Sequence, residues 1–173
     1  METLESKRLY GEIMLRIKPI LEEDYHFLID WNEGKGEDYL MQWAGPKAYK
    51  HPISVEQIKA HAKDDNSQIY MIFDDENPIG SVELESINGE DLSANINRFI
   101  FGEKHKNNGF GALTLKELIN TAFYDMGLER LTLRVFCFNV GAIRCYEKAG
   151  FLVKEFHQNN DPKWNYYTME IKK

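Results

Sequence analysis

Lys106-Asn107-Asn108-Gly109-Phe110-Gly111 is the stretch on which the reading of this chain turns. It sits within Gly102–Ala112, after a segment of alternating apolar residues and before one of helical periodicity, so it joins a strand to the start of a helix. The first amides of a helix have no intrahelical partner and point outward along a favourable dipole, which suits an anion. Gly109 and Gly111 remove side chains where a ligand would approach the backbone closely. Lys104, His105 and Lys106 set positive charge beside this turn in a chain of formal charge −7. A plain connecting loop, with glycines for turning and lysines facing water, has the same composition. Other phosphate loops fit less well. The Gly-Lys-Ser/Thr ending of a P-loop is missing, and a dinucleotide fingerprint needs a small residue where Thr114 stands.

Outward from the loop, the pattern on its N-terminal side reads as an antiparallel meander. Strands over Gln68–Phe73, Ile79–Ile87 and Ser93–Phe101 are separated by a turn at Asp74–Pro78 and by the tight-turn pair Asn88-Gly89. Before them come a strand at Ile13–Lys18 ended by Pro19, a helix over Leu21–Asn32, and an irregular stretch over Glu33–Lys50. A short helix over Val55–Lys63 opens on the capping box Ser54-Val55-Glu56-Gln57. On the C-terminal side the period becomes 3.6: Leu115, Leu118, Ile119, Ala122, Phe123 and Met126 share one face of a helix closed near Gly127. A strand over Leu131–Cys137, a short helix over Val140–Ala149 and strands over Phe151–His157 and Trp164–Lys172 complete the order βααβββαβαββ. This is an α/β fold with a mostly antiparallel sheet and one parallel step across the long helix, expected as a single domain over residues 1–173.

A second constellation follows the long helix. Asn139, Ala142 and Tyr146 are spaced by 3, 4 and 7, so they share one face of the short helix. The small residue leaves room for something to lie along that face, touched by an amide at one end and a phenol at the other. A capping Asn and a packed Tyr would look the same.

Taken together, the two segments resemble the GNAT N-acetyltransferases. The Lys106–Gly111 run is similar to their Arg/Gln-x-x-Gly-x-Gly/Ala pyrophosphate loop, and Asn139–Phe151 is similar to their Asn-x-x-Ala-x-x-x-Tyr-x-x-x-Gly-Phe segment. Pro19, the tryptophans and the Pro52–His61 helix resemble the RimJ/RimL branch of ribosomal-protein N-terminal acetyltransferases. Lys106 departs from the pattern, keeping charge but not the planar fork of Arg. The resemblance implies a GNAT fold, a mixed, twisted sheet with splayed central strands flanked by helices, and transfer of the acetyl group of acetyl-CoA to a primary amine.

It also implies roles. Backbone groups of Phe99, Ile100 and Phe101 would pair with the pantetheine. Amides of Lys106, Asn107, Asn108, Gly109, Phe110, Gly111 and Ala112 would hold the pyrophosphate, and Asn139 and Ala142 would line the thiol end. Tyr146 would protonate the departing thiolate, because a phenol of ordinary pKa near 10 keeps its proton at neutral pH. Glu83 is the expected base, with Glu85 at the same strand parity and Asn97 placed to hold a water. The acceptor is expected to be a protein N-terminus, a polyamine or another small cationic amine. It would be met by Glu33, Glu37, Asp38, Tyr39 and Trp43, although such stretches also serve as lids or dimer contacts.

Composition bounds the rest. With 28 acidic against 21 basic residues, the chain lacks the basic footprint of a non-specific nucleic-acid binder. No apolar run approaches the roughly 20 residues that cross a bilayer, and Met1–Tyr10 does not read as an export leader. Two cysteines, Cys137 and Cys145, build no disulfide framework and are read as structural, so the expected setting is the cytoplasm. The 5 histidines lack ligand spacing, so no metal is expected. Monomer and homodimer are both admissible.

Overall fold

The computed structural model describes the backbone of residues 6–10 and 13–173, with side chains from Leu15 onward. The reading of Met1–Tyr10 therefore falls partly outside the described residues. The elements are β1 (Ser6–Tyr10), β2 (Ile13–Pro19), α1 (Tyr25–Asp30), α2 (Glu37–Ala44), α3 (Val55–His61), β3 (Gln68–Asp74), β4 (Asn77–Asn88), β5 (Ser93–Phe101), α4 (Phe110–Asn120), β6 (Arg130–Phe136), α5 (Val140–Lys148), β7 (Leu152–His157) and β8 (Tyr166–Lys172). They form an eight-stranded sheet in the order β1-β2-β3-β4-β5-β6-β8-β7. Among the described residues its one parallel step is β5 to β6, across α4.

Alternation along β3 shows how the sheet is covered on both faces. Tyr70 and Ile72 join a cluster with Leu115 and Leu118 of α4 and Tyr146 of α5. Met71 and Phe73 join one with Tyr25 and Leu28 of α1, Leu40 of α2 and Ile58 of α3. A strand with apolar residues at both parities needs such cover, because the period of two sends neighbours to opposite faces.

Three readings change. The stretch over Glu33–Lys50 is not wholly irregular, since α2 lies inside it. Gly36 opens that helix, Glu37 and Asp38 fill its first turn, and Gly45 at φ 71 ends it. Leu40 and Ala44, one turn apart, are its buried face. The long helix begins earlier than its apolar stripe, directly after Gly109, and its last turn widens at Thr121–Asp125, where the amide of Met126 bonds to Thr121 at 2.9 Å. The capping box is half formed. Ser54 Oγ accepts from the amide of Gln57 at 3.4 Å, but the Gln57 side chain reaches further back. Its Oε1 accepts from the Lys50 amide at 2.6 Å and its Nε2 donates to the Pro52 carbonyl at 3.0 Å. Ser54→Ala should then lower the unfolding free energy by about 1 kcal/mol, read as a drop in urea midpoint at constant slope.

Candidate active site

β5 and β6 run side by side only from Ser93↔Arg130 to Ile96↔Leu133. Beyond Ile96, β5 stays bonded to β4, with Ser81 opposite Ile100 and Gly80 opposite Phe101, while β6 turns to β8. The two parallel strands thus part, and the β6-side edge of residues 97–101 is left for another hydrogen-bonding chain. Phe99, Ile100 and Phe101 all lie on this stretch. Ile100 is buried, and the rings of Phe99 and Phe101 stand 5.1 Å apart.

The Gly102–Ala112 loop leads from the end of β5 into α4. Gly109 takes φ 81 and is the residue at which the helix starts. Asn107 shares the left-handed region at φ 62. A Cβ built on Gly109 would meet nothing within 4 Å, so the space above it is open. The helix's first bond runs from the amide of Leu113 to the Gly109 carbonyl at 3.4 Å. Phe110, Gly111 and Ala112 carry the unpaired first-turn amides. Gly111 differs from its sequence reading. A Cβ there would stand 3.0 Å from Sγ of Cys145, so this glycine lets α4 and α5 approach each other. Asn108 Nδ2 donates to the Lys104 carbonyl at 3.3 Å, bracing the loop. Gly109→Ala should cost about 1–2 kcal/mol, because a Cβ in the left-handed region meets the following carbonyl. Chemical unfolding measures the cost.

Lys106 is already engaged. Its Nζ donates to Glu103 Oε2 at 2.9 Å and to the hydroxyl of Tyr39 at 3.4 Å, and it sits over the Tyr39 ring at 5.1 Å. Partial burial pulls its pKa down, but Glu103 and Tyr39 outweigh that and leave it raised. Past Ala112, a cleft of about 400 Å³ runs between α4 and α5, lined by Leu113, Lys116, Ile119 and Lys148.

α5 presents the second constellation. Asn139 caps it, with its side-chain oxygen accepting from the Ala142 amide at 3.3 Å. Ala142 packs against the α4-side cluster, and Tyr146 is buried within it, 6.1 Å from Phe151. Burial, followed by a smaller contribution from Cys145, pushes the Tyr146 phenol well above its ordinary value. It stays protonated at neutral pH. Burial likewise raises the Cys145 thiol.

Glu83 stands opposite Asn97, one residue past the end of the β5–β6 pairing. It is 0% exposed. Its two oxygens lie 2.9 and 3.0 Å from Nε2 of His61, and Arg98 NH1 is 3.2 Å from Oε1. Arg98 also reaches Glu85 at 2.8 Å, and Asn97 donates to Glu85 at 2.6 Å. The base expected at Glu83 is therefore a carboxylate locked between two partners and closed to solvent. Neither partner stood out in the sequence. Arg98 shares strand parity with buried Ala94, Ile96 and Ile100, so a regular strand would drive its charge into the core. Instead its backbone takes φ 50 where the register slips against β4, which turns the guanidinium to the opposite face. A charge at an inward position was the available signal.

The acceptor-side residues are partly brought together. α2 lies against β5. Asp38 pairs with Lys163 before β8, and Trp43 Nε1 donates to Asn32 at 2.9 Å. An aromatic wall not foreseen stands at the end of β6: Phe136 and Phe138 stack at 5.6 Å, with Trp164 edge-on to both. Among the described residues, no group of three or more His, Cys, Asp or Glu is placed to hold a metal, and no helix is long and apolar enough to cross a membrane.

The sequence profile of the Acetyltransferase (GNAT) domain matches residues 14–152. The chain belongs to the GNAT acetyltransferase family. As a GNAT enzyme it is an acetyl-CoA-dependent N-acetyltransferase. A curated relative, the spermidine N(1)-acetyltransferase of Vibrio cholerae serotype O1, is 26% identical over 152 residues, covering 84% of this chain and 86% of that protein. The GNAT fold is shared with the crystal structure of spermidine N-acetyltransferase from Vibrio cholerae in complex with CoA and spermine (TM-score 0.76, 22% identity, 91% of this chain and 95% of that one). A dodecameric structure of the same enzyme superposes at TM-score 0.70, with 21% identity and 91% and 93% coverage.

Proposed function

We propose that this GNAT enzyme acetylates a small polycationic amine of the polyamine class, by direct attack of the neutral amine on acetyl-CoA within a ternary complex. The observation that carries the cofactor half is the junction of the parted β5–β6 edge with the open helix start at Gly109. The pantetheine amides would add to the edge of Phe99–Phe101 as an extra strand, and Asn139 and Ala142 would line its thiol end. The diphosphate would rest on the backbone from Lys106 to Ala112, exchanging for Glu103 at the Lys106 ammonium. Lys116 and Lys148 border the cleft that would take the nucleotide end.

The thiolate that departs would be protonated by Tyr146, whose raised pKa keeps the phenol in its acid form. The amide of Phe101 would polarise the thioester carbonyl. On the acceptor side, Glu33 and Glu37 would supply negative charge, and the Phe136–Phe138–Trp164 wall, where Lys163 already stands over Trp164 at 4.7 Å, would supply aromatic faces for a cation. The finer resemblance to the RimJ/RimL branch would make a protein N-terminus the acceptor. The relatives found bear polyamine names, which supports the small amine instead.

Thiol release from acetyl-CoA, followed with a chromogenic disulfide over a panel of spermidine, spermine, aminoglycosides and N-terminal peptides, tests this. Turnover with polyamines at micromolar to millimolar KM is expected. Turnover confined to peptides would transfer the assignment to the protein-acetylating branch.

A further inference from the structure

Glu83 is more enclosed than a base should be, but the group it holds is not. The His61 side chain on α3 keeps 15% exposure, whereas the Glu83 carboxylate is buried. A carboxylate with both oxygens on Nε2 fixes the hydrogen there and leaves Nδ1 as the ring's basic nitrogen. The ring is pinned from the side by Tyr49, edge-on at 5.4 Å. Burial first, then the charge of Glu83, raises the Tyr49 phenol, so it stays neutral. The charged and titratable groups around the imidazole are thus Glu83 of β4, Arg98 of β5, Glu85 beyond Arg98, and neutral Tyr49. An imidazolium formed in that setting faces a carboxylate. Glu83, which holds the ring, stands opposite Asn97, where β5 loses β6 and the thioester end of the cofactor would enter.

We propose that His61, oriented by Glu83, is the group that receives the proton which the acceptor amine must shed, through water, and passes it to solvent. The inference rests on the acetyl-transfer reading above. The acceptor arrives as R–NH3+, and one proton moves through water to Nδ1, giving imidazolium beside the Glu83 carboxylate. The neutral amine then attacks the thioester carbon. As the tetrahedral intermediate collapses, the C–S bond breaks and the thiolate takes the proton of Tyr146. The nitrogen of the new amide gives up its remaining extra proton through water to the tyrosinate, which restores the phenol, and the imidazolium releases its proton to solvent, so the cycle yields one amide, one free thiol and one proton. Glu83 is a positioning residue in this scheme, itself held by Arg98 at 3.2 Å.

Two measurements test the proposal. His61→Gln keeps an N–H donor toward Glu83 but nothing that titrates. It should bind acetyl-CoA and melt like the parent, lose about 10²-fold in kcat with little change in KM, and lose the low-pH limb of the kcat profile. Parent-like kcat with the same low-pH limb would overturn the role. The second measurement uses the unmodified protein. ¹⁵N spectra of labelled histidine should show His61 as the Nε2–H tautomer at neutral pH, and an Nδ1–H tautomer would overturn it even if His61→Gln failed to fold. Absence of any acetylation by the parent protein would count against the acetyl-transfer reading instead, and the tautomer would still stand or fall on its own spectrum.

Discussion

Tyr146→Phe should slow acetyl transfer by roughly 10² to 10⁴ in kcat while leaving acetyl-CoA binding nearly intact. The substitution removes one oxygen from a side chain buried among apolar residues, so packing changes little. The proton supply to the departing thiolate is what goes. Pre-steady-state thiol release at saturating amine measures the effect on the chemical step, and thermal protection by CoA confirms that the cleft survives. A variant that turns over at the parent rate would remove the phenol from the mechanism.

The second large effect is on stability. Glu83→Ala should cost about 3–5 kcal/mol, because it strips one carboxylate from a guanidinium that is only 8% exposed. Glu85 remains as a partner but lies on the other branch of the fork. Replacing Arg98 by Met in the same chain should recover most of the loss, since an uncompensated buried charge costs more than an apolar substitute of similar volume. A double-mutant cycle in urea gives the coupling directly. Independent, additive losses at the two positions would mean that the pair is not a unit.

These two residues show what the sequence made legible. Tyr146 was visible because a helix repeats every 3.6 residues, so its spacing from Asn139 and Ala142 fixes a shared face, and the structure keeps that face. The start of α4 was visible because the glycine loop comes directly before the helical period, and the structure adds that Gly109 takes φ 81 there. The purpose of Gly111 was not, since its neighbour Cys145 is distant in sequence and only packing of α4 on α5 brings them together. The same holds for Glu83. Its strand and parity were readable, but His61 comes from a helix 22 residues earlier, and Arg98 reaches it only because of a bulge. α2 was missed because Gly34, Gly36 and Gly45 crowd a short helix in which only Leu40 and Ala44 are fully buried. Two buried residues are too few to define a period. The glycines proved to be its boundaries.

Acetyl-CoA binding ties these residues together: the cofactor is expected in the gap between β5 and β6, with its diphosphate on the first amides of α4 and its sulfur toward Tyr146. A crystal structure of the CoA complex decides the matter. It should show diphosphate oxygens within hydrogen-bond distance of the Phe110–Ala112 amides, pantetheine bonded along Phe99–Phe101, and the thiol near the Tyr146 hydroxyl. CoA bound away from this gap, or the gap closed by the protein's own strands, would refute that placement.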